Sequence, residues 1–194
     1  MAAEDRVARR QEFVEAARRC VARDGYRNLT VDNVCMEAGL SKGAFYSHFQ
    51  TKSELLVAVL EDDASRVGAL INTVTERNDS QLERTRRYVQ SLLREAEEPG
   101  GVQLRAGLWS ETLSDPAITE GLVADIRERR RQLRDWIASG IDSGELVETP
   151  ANATAAILVA LADGLTLHRA IDPSAFQWPN IRTALATLLD GLAA

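Results

Sequence analysis

Thr30, Ser41, Lys42, Tyr46, His48 and Lys52 place hydroxyl, phenol, imidazole and ammonium groups within a short stretch, Leu29 to Leu56, which reads LTVDNVCMEAGLSKGAFYSHFQTKSELL. Groups of this kind donate hydrogen bonds and positive charge, and phosphate oxygens and base edges are what they suit. They lack the partners that covalent or metal chemistry needs. The two Cys and two His of the chain stand at separations that match no zinc spacing, and no Gly-rich phosphate loop or H-E-x-x-H segment is present. No catalytic residue, metal ligand or cofactor is therefore assigned. An enzyme stays only as a remote alternative.

The elements that must position these groups are two short helices and the start of a longer one. Thr30 suits an N-cap, with Asp32 complementing the dipole in the first turn. Val31, Val34, Cys35 and Ala38 supply the inward stripe. Gly39 fits the left-handed position that ends the helix, Leu40 plugs the angle, and Ser41 caps the next helix, expected over Lys42 to Phe49. Phe45 and Phe49 lie four apart and face the core. Lys42, Gly43, Ala44, Tyr46, Ser47 and His48 occupy the other face. A small turn with Gly between two short helices is the grammar of a helix-turn-helix, whose second helix enters a DNA major groove. Gly43 costs a helix about 1 kcal/mol against Ala. Either backbone must approach DNA closely there, or Gly43 relieves crowding at the turn. Thr51-x-x-Glu54 reads as a capping box. Lys52 follows at the first helical position, where the dipole disfavours a cation, so it is either a phosphate contact or a solvated Lys.

Read in order, Asp24-Gly25-Tyr26, Leu29-Thr30-Val31, Ala38-Gly39-Leu40-Ser41-Lys42-Gly43-Ala44-Phe45-Tyr46-Ser47-His48-Phe49 and Lys52-Ser53-Glu54-Leu55 resemble the TetR family of bacterial transcriptional regulators. The matching signature covers about residues 10 to 56. The resemblance implies an all-α homodimer with an N-terminal three-helix helix-turn-helix domain (1–50) and a C-terminal helical domain (51–194) that binds a small-molecule effector and dimerises. It implies a regulator, in most members a repressor, that the effector releases from its operator. Thr30, Lys42, Tyr46, His48 and Lys52 match positions that contact DNA, mainly phosphates. Ser41, Gly43 and Ala44 match the part of the reading helix nearest the base edges. Cys35 replaces a commonly seen Ala.

The net charge of −6 looks wrong for a DNA binder, but its distribution resolves the conflict. Residues 1–52 hold 9 Lys/Arg and 7 Asp/Glu, net +2, and the remaining 142 hold 14 and 22, net −8. The excess acid lies away from the proposed DNA face, and the small positive balance predicts modest salt dependence. Apolar runs are short, so no transmembrane helix is expected. The charged start, MAAEDRVARRQ, argues against a secretory signal and points to a cytoplasmic protein. Cys20 continues the stripe Phe13, Ala17, Cys20, Val21 and is expected to be buried, not disulfide-bonded.

Helical periodicity continues nearly throughout, for about nine helices. The first runs from about Asp5 to Arg23. A long helix from Thr51 carries the stripe Leu55, Val59, Asp63, Val67, flanked by Leu70, Ile71 and Val74. Leu82 to Ala96 follows, then a break at Pro99-Gly100-Gly101 and a helix from Val102 to Leu113. Asp115-Pro116 starts a helix to about Ser139, with Leu122, Ile126, Leu133, Trp136 and Ile137 inward and Gly140 and Gly144 at a fraying end. Its run Arg127, Arg129, Arg130, Arg131, Arg134 reads as a solvated face. Thr149-Pro150 starts a helix to about Ile171, and the last helix carries Ile181, Leu185, Leu188, Leu189 and Leu192 inward.

Ala151 to Leu167 is apolar around most of its surface, so it is either a central core helix or, with the last helix, half of a four-helix dimer interface. Trp109, Thr112, Trp136, Asp163, Thr166 and His168 are polar or aromatic groups on apolar helices. Trp109, Trp136 and His168 are candidate effector contacts, with ordinary core packing as the other reading. The partners expected are therefore duplex DNA with a pseudo-palindromic site, a small effector, and a second copy. The alternatives are a helical protein-interaction module and a regulator without a small-molecule effector.

Overall fold

The Thr30 hydroxyl accepts from the Asn33 amide at 3.2 Å, and the Ser41 hydroxyl accepts from the Ala44 amide at 3.1 Å. Each satisfies an amide that a helix start leaves orphaned, worth about 1 kcal/mol. These caps start α2 (Val31–Ala38) and α3 (Lys42–Tyr46). Gly39 ends α2 with φ 66°, and Leu40 N donates to Cys35 O at 3.0 Å across it. The computed structural model describes residues 3–75, 79–112 and 114–194, without the side chains of residues 3, 4, 67–75 and 95. The stripe positions Val67, Leu70, Ile71 and Val74, and residue Leu113, lie outside the described side chains.

Nine α-helices are present among the described residues, and no strand. The others are α1 (Ala3–Asp24), α4 (Lys52–Thr75), α5 (Gln81–Glu97), α6 (Gly101–Glu111), α7 (Pro116–Asp142), α8 (Ala151–Ile171) and α9 (Trp178–Asp190), with a 3-10 turn at Tyr26–Asn28. The all-α expectation holds. α3 is shorter than expected: the regular helix ends at Tyr46, and the Ser47 hydroxyl donates to Ala44 O at 2.6 Å, a local bond that competes with continuation. The capping box forms with a shift. Glu54 N donates to Thr51 Oγ1 at 3.1 Å, but the Glu54 carboxylate reaches the Gln50 amide, at 2.7 Å.

The chain forms two compact units, Met1–Asp63 with Glu98–Val123 and Ala64–Glu97 with Ala124–Ala194. In the first, Phe13 of α1 is fully buried and meets Phe45 and Phe49 edge-on, at 5.4 and 6.2 Å. Arg18 of α1 clamps α4: it donates to Val59 O at 3.2 Å and to Asp62 at 3.1 Å, and it pairs with Asp63. α6 belongs to this unit. Gly100, with φ 80°, lies where a Cβ would stand 2.7 Å from the Ala22 backbone, and a Cβ on Gly107 would stand 2.1 Å from Tyr26 Cγ. The Ser53 hydroxyl donates to the Asp115 carboxylate, which also accepts from the Ala117 amide at 2.9 Å and so caps α7. Cys20 and Cys35 are buried free thiols.

The second unit packs α5, most of α7, α8 and α9 around Val89, Leu93, Leu133, Ile137, Ala155, Val159, Leu185 and Leu189. Tyr88 meets Trp136 edge-on at 5.4 Å. Val147 N donates to Leu192 O at 2.9 Å, stitching the chain end to the α7–α8 turn.

Several expectations are corrected here. Arg129 is not solvated: it is buried with Asp125, 2.8 Å away and one turn earlier, which neutralises it on the inner face. Leu188 is 68% exposed rather than inward, because Leu185 and Leu189 already fill the core side of α9. Gly140 lies inside α7 under Leu146, not at a frayed end. α8 is, by length and composition, long and apolar enough to cross a membrane, contrary to the expectation from run lengths. Only Asp163 and Arg169 are formally charged in it, and its Asn, Thr and Gly residues barely lower the average.

Candidate nucleic-acid interface

Of the reading groups expected on Ser41 and α3, all but Ala44 are exposed. Thr30, Ser41, Lys42, Gly43 and Tyr46 are all exposed, Tyr46 by 57%. Both cap hydroxyls spend a lone pair on the helix amide and keep the O–H as a donor. Tyr46 stands edge-on to Phe45 at 5.4 Å, so its ring is braced on one side while the residue stays exposed. Ala44 is half-buried against the core below. Gly43 is not crowded. A Cβ there would meet only Ser41 Oγ, at 3.7 Å, so the fold itself makes no demand for glycine.

His48 is half-buried, 6.1 Å from the Phe13 ring and 6.4 Å from the Phe49 ring. Burial, then the charges of Arg6, Arg9 and Arg10 on α1, hold its imidazole below the usual histidine range. It is thus mainly a neutral donor at pH 7, presented beside α1. Lys52 is half-buried, with its ammonium 5.6 Å from the Tyr26 ring centroid. Its charge also helps keep Asp115 below the usual carboxylate range, after the Ser53 hydroxyl and the two α7 amides. It is neither a free surface Lys nor a group sealed inward. Lys42 Nζ lies 2.7 Å from Asp32 Oδ1, with the two side chains 60% and 66% exposed. The sequence reading missed this pair because Asp32 was assigned to the helix dipole alone.

Residues 13–59 match the family model of bacterial regulatory proteins of the tetR family, and residues 81–194 match the C-terminal model of BetI-type transcriptional repressors. The second match alone covers more than half of the chain.

The chain belongs to the TetR family.

It is a ligand-responsive, DNA-binding transcriptional regulator by that membership. Among similar proteins, the transcriptional repressor AcnR of Corynebacterium glutamicum is 26% identical over 80% of this chain and 78% of its own length. AcnR of Corynebacterium diphtheriae is 41% identical over 32% of this chain, a match that spans 33% of that protein. A regulator from Saccharomonospora viridis, solved in complex with choline, superposes with a TM-score of 0.82 at 21% identity, over 97% of this chain and 99% of its own.

The three effector candidates of this TetR-family chain have different surroundings. Trp109 is half-buried in the first unit, with its indole N–H buried and without a hydrogen-bond partner among the described residues. Trp136 is buried in the second unit against Tyr88. His168 is exposed, on the same side of α8 as Ile157, Leu161 and Gly164. Asp163 and Thr166 are buried, and the Thr166 hydroxyl donates to Ala162 O at 2.9 Å. Thr112 similarly donates to Trp109 O at 2.8 Å.

Proposed function

We propose that this protein is a dimeric repressor that reads a pseudo-palindromic operator with α3 and is released from it by a small molecule. The observation that carries the DNA contact is the exposed face of Thr30, Ser41, Lys42, Gly43 and Tyr46, with a glycine that packing does not require. In this reading Ser41, Lys42, Gly43 and Ala44 approach base edges, while Thr30, Tyr46, His48 and Lys52 hold phosphates. Residues 1–50 form the DNA-binding domain, with Lys52 adding a phosphate contact from the start of the next, and 51–194 bind the effector and dimerise. The protein acts in the cytoplasm, and no catalytic role is assigned to it.

The dimer face is proposed on α8 and α9. Only 28% of the apolar window of α8 is buried within the subunit. Ile157, Leu161 and Gly164 on α8, and Ala184, Thr187 and Leu188 on α9, leave small and apolar side chains open to solvent or only half-covered. A Cβ on Gly164 would meet nothing within 4 Å, as suits a site where a second backbone approaches. A second copy, rather than lipid, is the proposed cover. His168, which shares this face, is assigned to the interface and not to the effector pocket. Trp109, in the first unit, and Trp136, in the second, remain separate proposed candidates for an effector contact. That a fold neighbour holds choline supports the view that this architecture accommodates a small organic molecule.

The test is selection of bound duplexes from a random pool by the purified protein, followed by gel shifts at two salt concentrations. A pseudo-palindromic consensus supports the reading, and selection of no sequence overturns it. Two variants sharpen it. Lys52→Ala should weaken binding to all duplexes alike and lower the slope of log K against log salt by about 1, one phosphate contact. An unchanged slope would remove Lys52 from the contacts. Gly43→Ala should raise helix stability by up to about 1 kcal/mol yet weaken operator binding by at least about tenfold, because the methyl occupies space the base edges need. Melting curves and gel shifts on the same preparation check both halves, and undiminished binding would assign Gly43 no role at the groove.

A further inference from the structure

We propose that Asp32 sets the specificity of DNA binding by holding the Lys42 ammonium off the phosphate backbone, so that Lys42 is shared only with the base edges of a seated operator. The inference rests on the DNA-binding reading above. From Leu29 to Phe49 the sequence contains a single Lys or Arg, Lys42, and two acids, Asp32 and Glu37. Glu37 is taken by Arg19 at 2.7 Å and Arg23 at 2.5 Å, both from α1. Asp32 is taken by Lys42 at 2.7 Å. Residues 29–49 therefore offer a passing duplex no Lys or Arg that lacks a carboxylate partner.

The pair is too exposed to be explained by folding, since ion pairs in solvent contribute little to stability. Its position explains it better. Asp32 lies in the first turn of α2, where amides and dipole would otherwise attract a phosphate, and it joins that turn to the start of α3. One carboxylate thus offsets both the local ammonium and the positive helix end. Loosely bound duplex offers only its backbone, so the held Lys42 adds nothing there. In a seated complex the reading helix lies in the major groove. An ammonium has three donors, so Lys42 can keep Asp32 and still donate to guanine acceptors.

The experiment compares Asp32→Asn with wild type on the selected operator and on poly(dI-dC), at several potassium chloride concentrations. Asp32→Asn should tighten binding to poly(dI-dC) about fivefold and steepen its salt slope by about 1, while operator affinity changes less than about twofold. In a Lys42→Ala background the same substitution should change either affinity less than about twofold, because Asp32 acts through Lys42. Asp32→Glu should restore most of the discrimination. Equal tightening on both duplexes, unchanged poly(dI-dC) binding, or a full effect without Lys42 would each overturn the inference. Wild type that selects no duplex would instead defeat the underlying DNA-binding reading.

Discussion

Replacing Ile157 and Leu188 together with Glu is expected to convert the protein from two chains per particle to one, and to weaken operator binding at least about a hundredfold. The two side chains are 66% and 68% exposed in the subunit, so their loss removes little of its own core. Exposed substitutions of this kind usually change stability by no more than about 0.5 kcal/mol. Across the proposed two-fold axis, however, the new carboxylates would be buried against the other copy without a counter-charge. The loss of DNA affinity follows from valency. Two reading helices held at a fixed spacing bind two half-sites with a high effective concentration, and a lone subunit holds only one. Sedimentation and gel shifts measure the two effects separately. A double variant that remains a dimer would place the interface elsewhere. A monomer with undiminished operator affinity would sink the paired-groove mechanism.

Gly107→Ala should lower stability by about 3 kcal/mol, the upper part of the overpacking range, and so lower Tm by about 6–12 °C for a chain of this size. The added Cβ would stand 2.1 Å from Tyr26 Cγ and 2.4 Å from both Cδ atoms. A flexible tip would swing aside, but these are ring-root atoms of a residue only 8% exposed. Lys52 also covers that ring, and its phenol oxygen is buried without a partner among the described residues, so relief would require α6 to lift off the turn at Tyr26–Asn28. Tyr26→Ala by itself opens a cavity and should cost about 3–5 kcal/mol. The double variant should cost less than the sum of the singles, since removing the ring removes the clash. Thermal melts of the four proteins decide the matter. Additive losses, or an unchanged Tm for Gly107→Ala, would mean that α6 does not approach Tyr26 as described.

The two predictions draw on different kinds of information. α8 was recognisable in the sequence as a helix with more apolar surface than one subunit can cover. Gly107 was not recognisable at all. The sequence reading placed it inside an ordinary helix after a Pro-Gly-Gly break, and nothing near it named a neighbour 81 positions earlier. The same contrast runs through the candidate DNA face. Thr30, Gly39, Ser41, Thr51 and Glu54 were legible because each acts within five residues: a cap, a left-handed turn, a capping box. Lys52 was half legible. Its place at a helix start was clear, but its seat over Tyr26 was not. The charge pairs divide likewise. Arg129 was read with its arginine neighbours as solvated, yet the face it lies on turns inward and Asp125 is there to meet it.

What the sequence determined by itself was therefore the helical class, the helix-turn-helix and its caps, since these depend on local hydrogen bonding and on a 3.6-residue period. Tertiary structure alone decided that α6 joins the unit of the reading helix, that Asp32 holds Lys42, that Arg18 clamps Asp62 and Asp63, and that His168 and Leu188 face outward. These outcomes depend on which faces meet. A helix with several acceptable inward faces settles that only when its neighbours are in place, because burial is judged for the whole surface at once and not residue by residue.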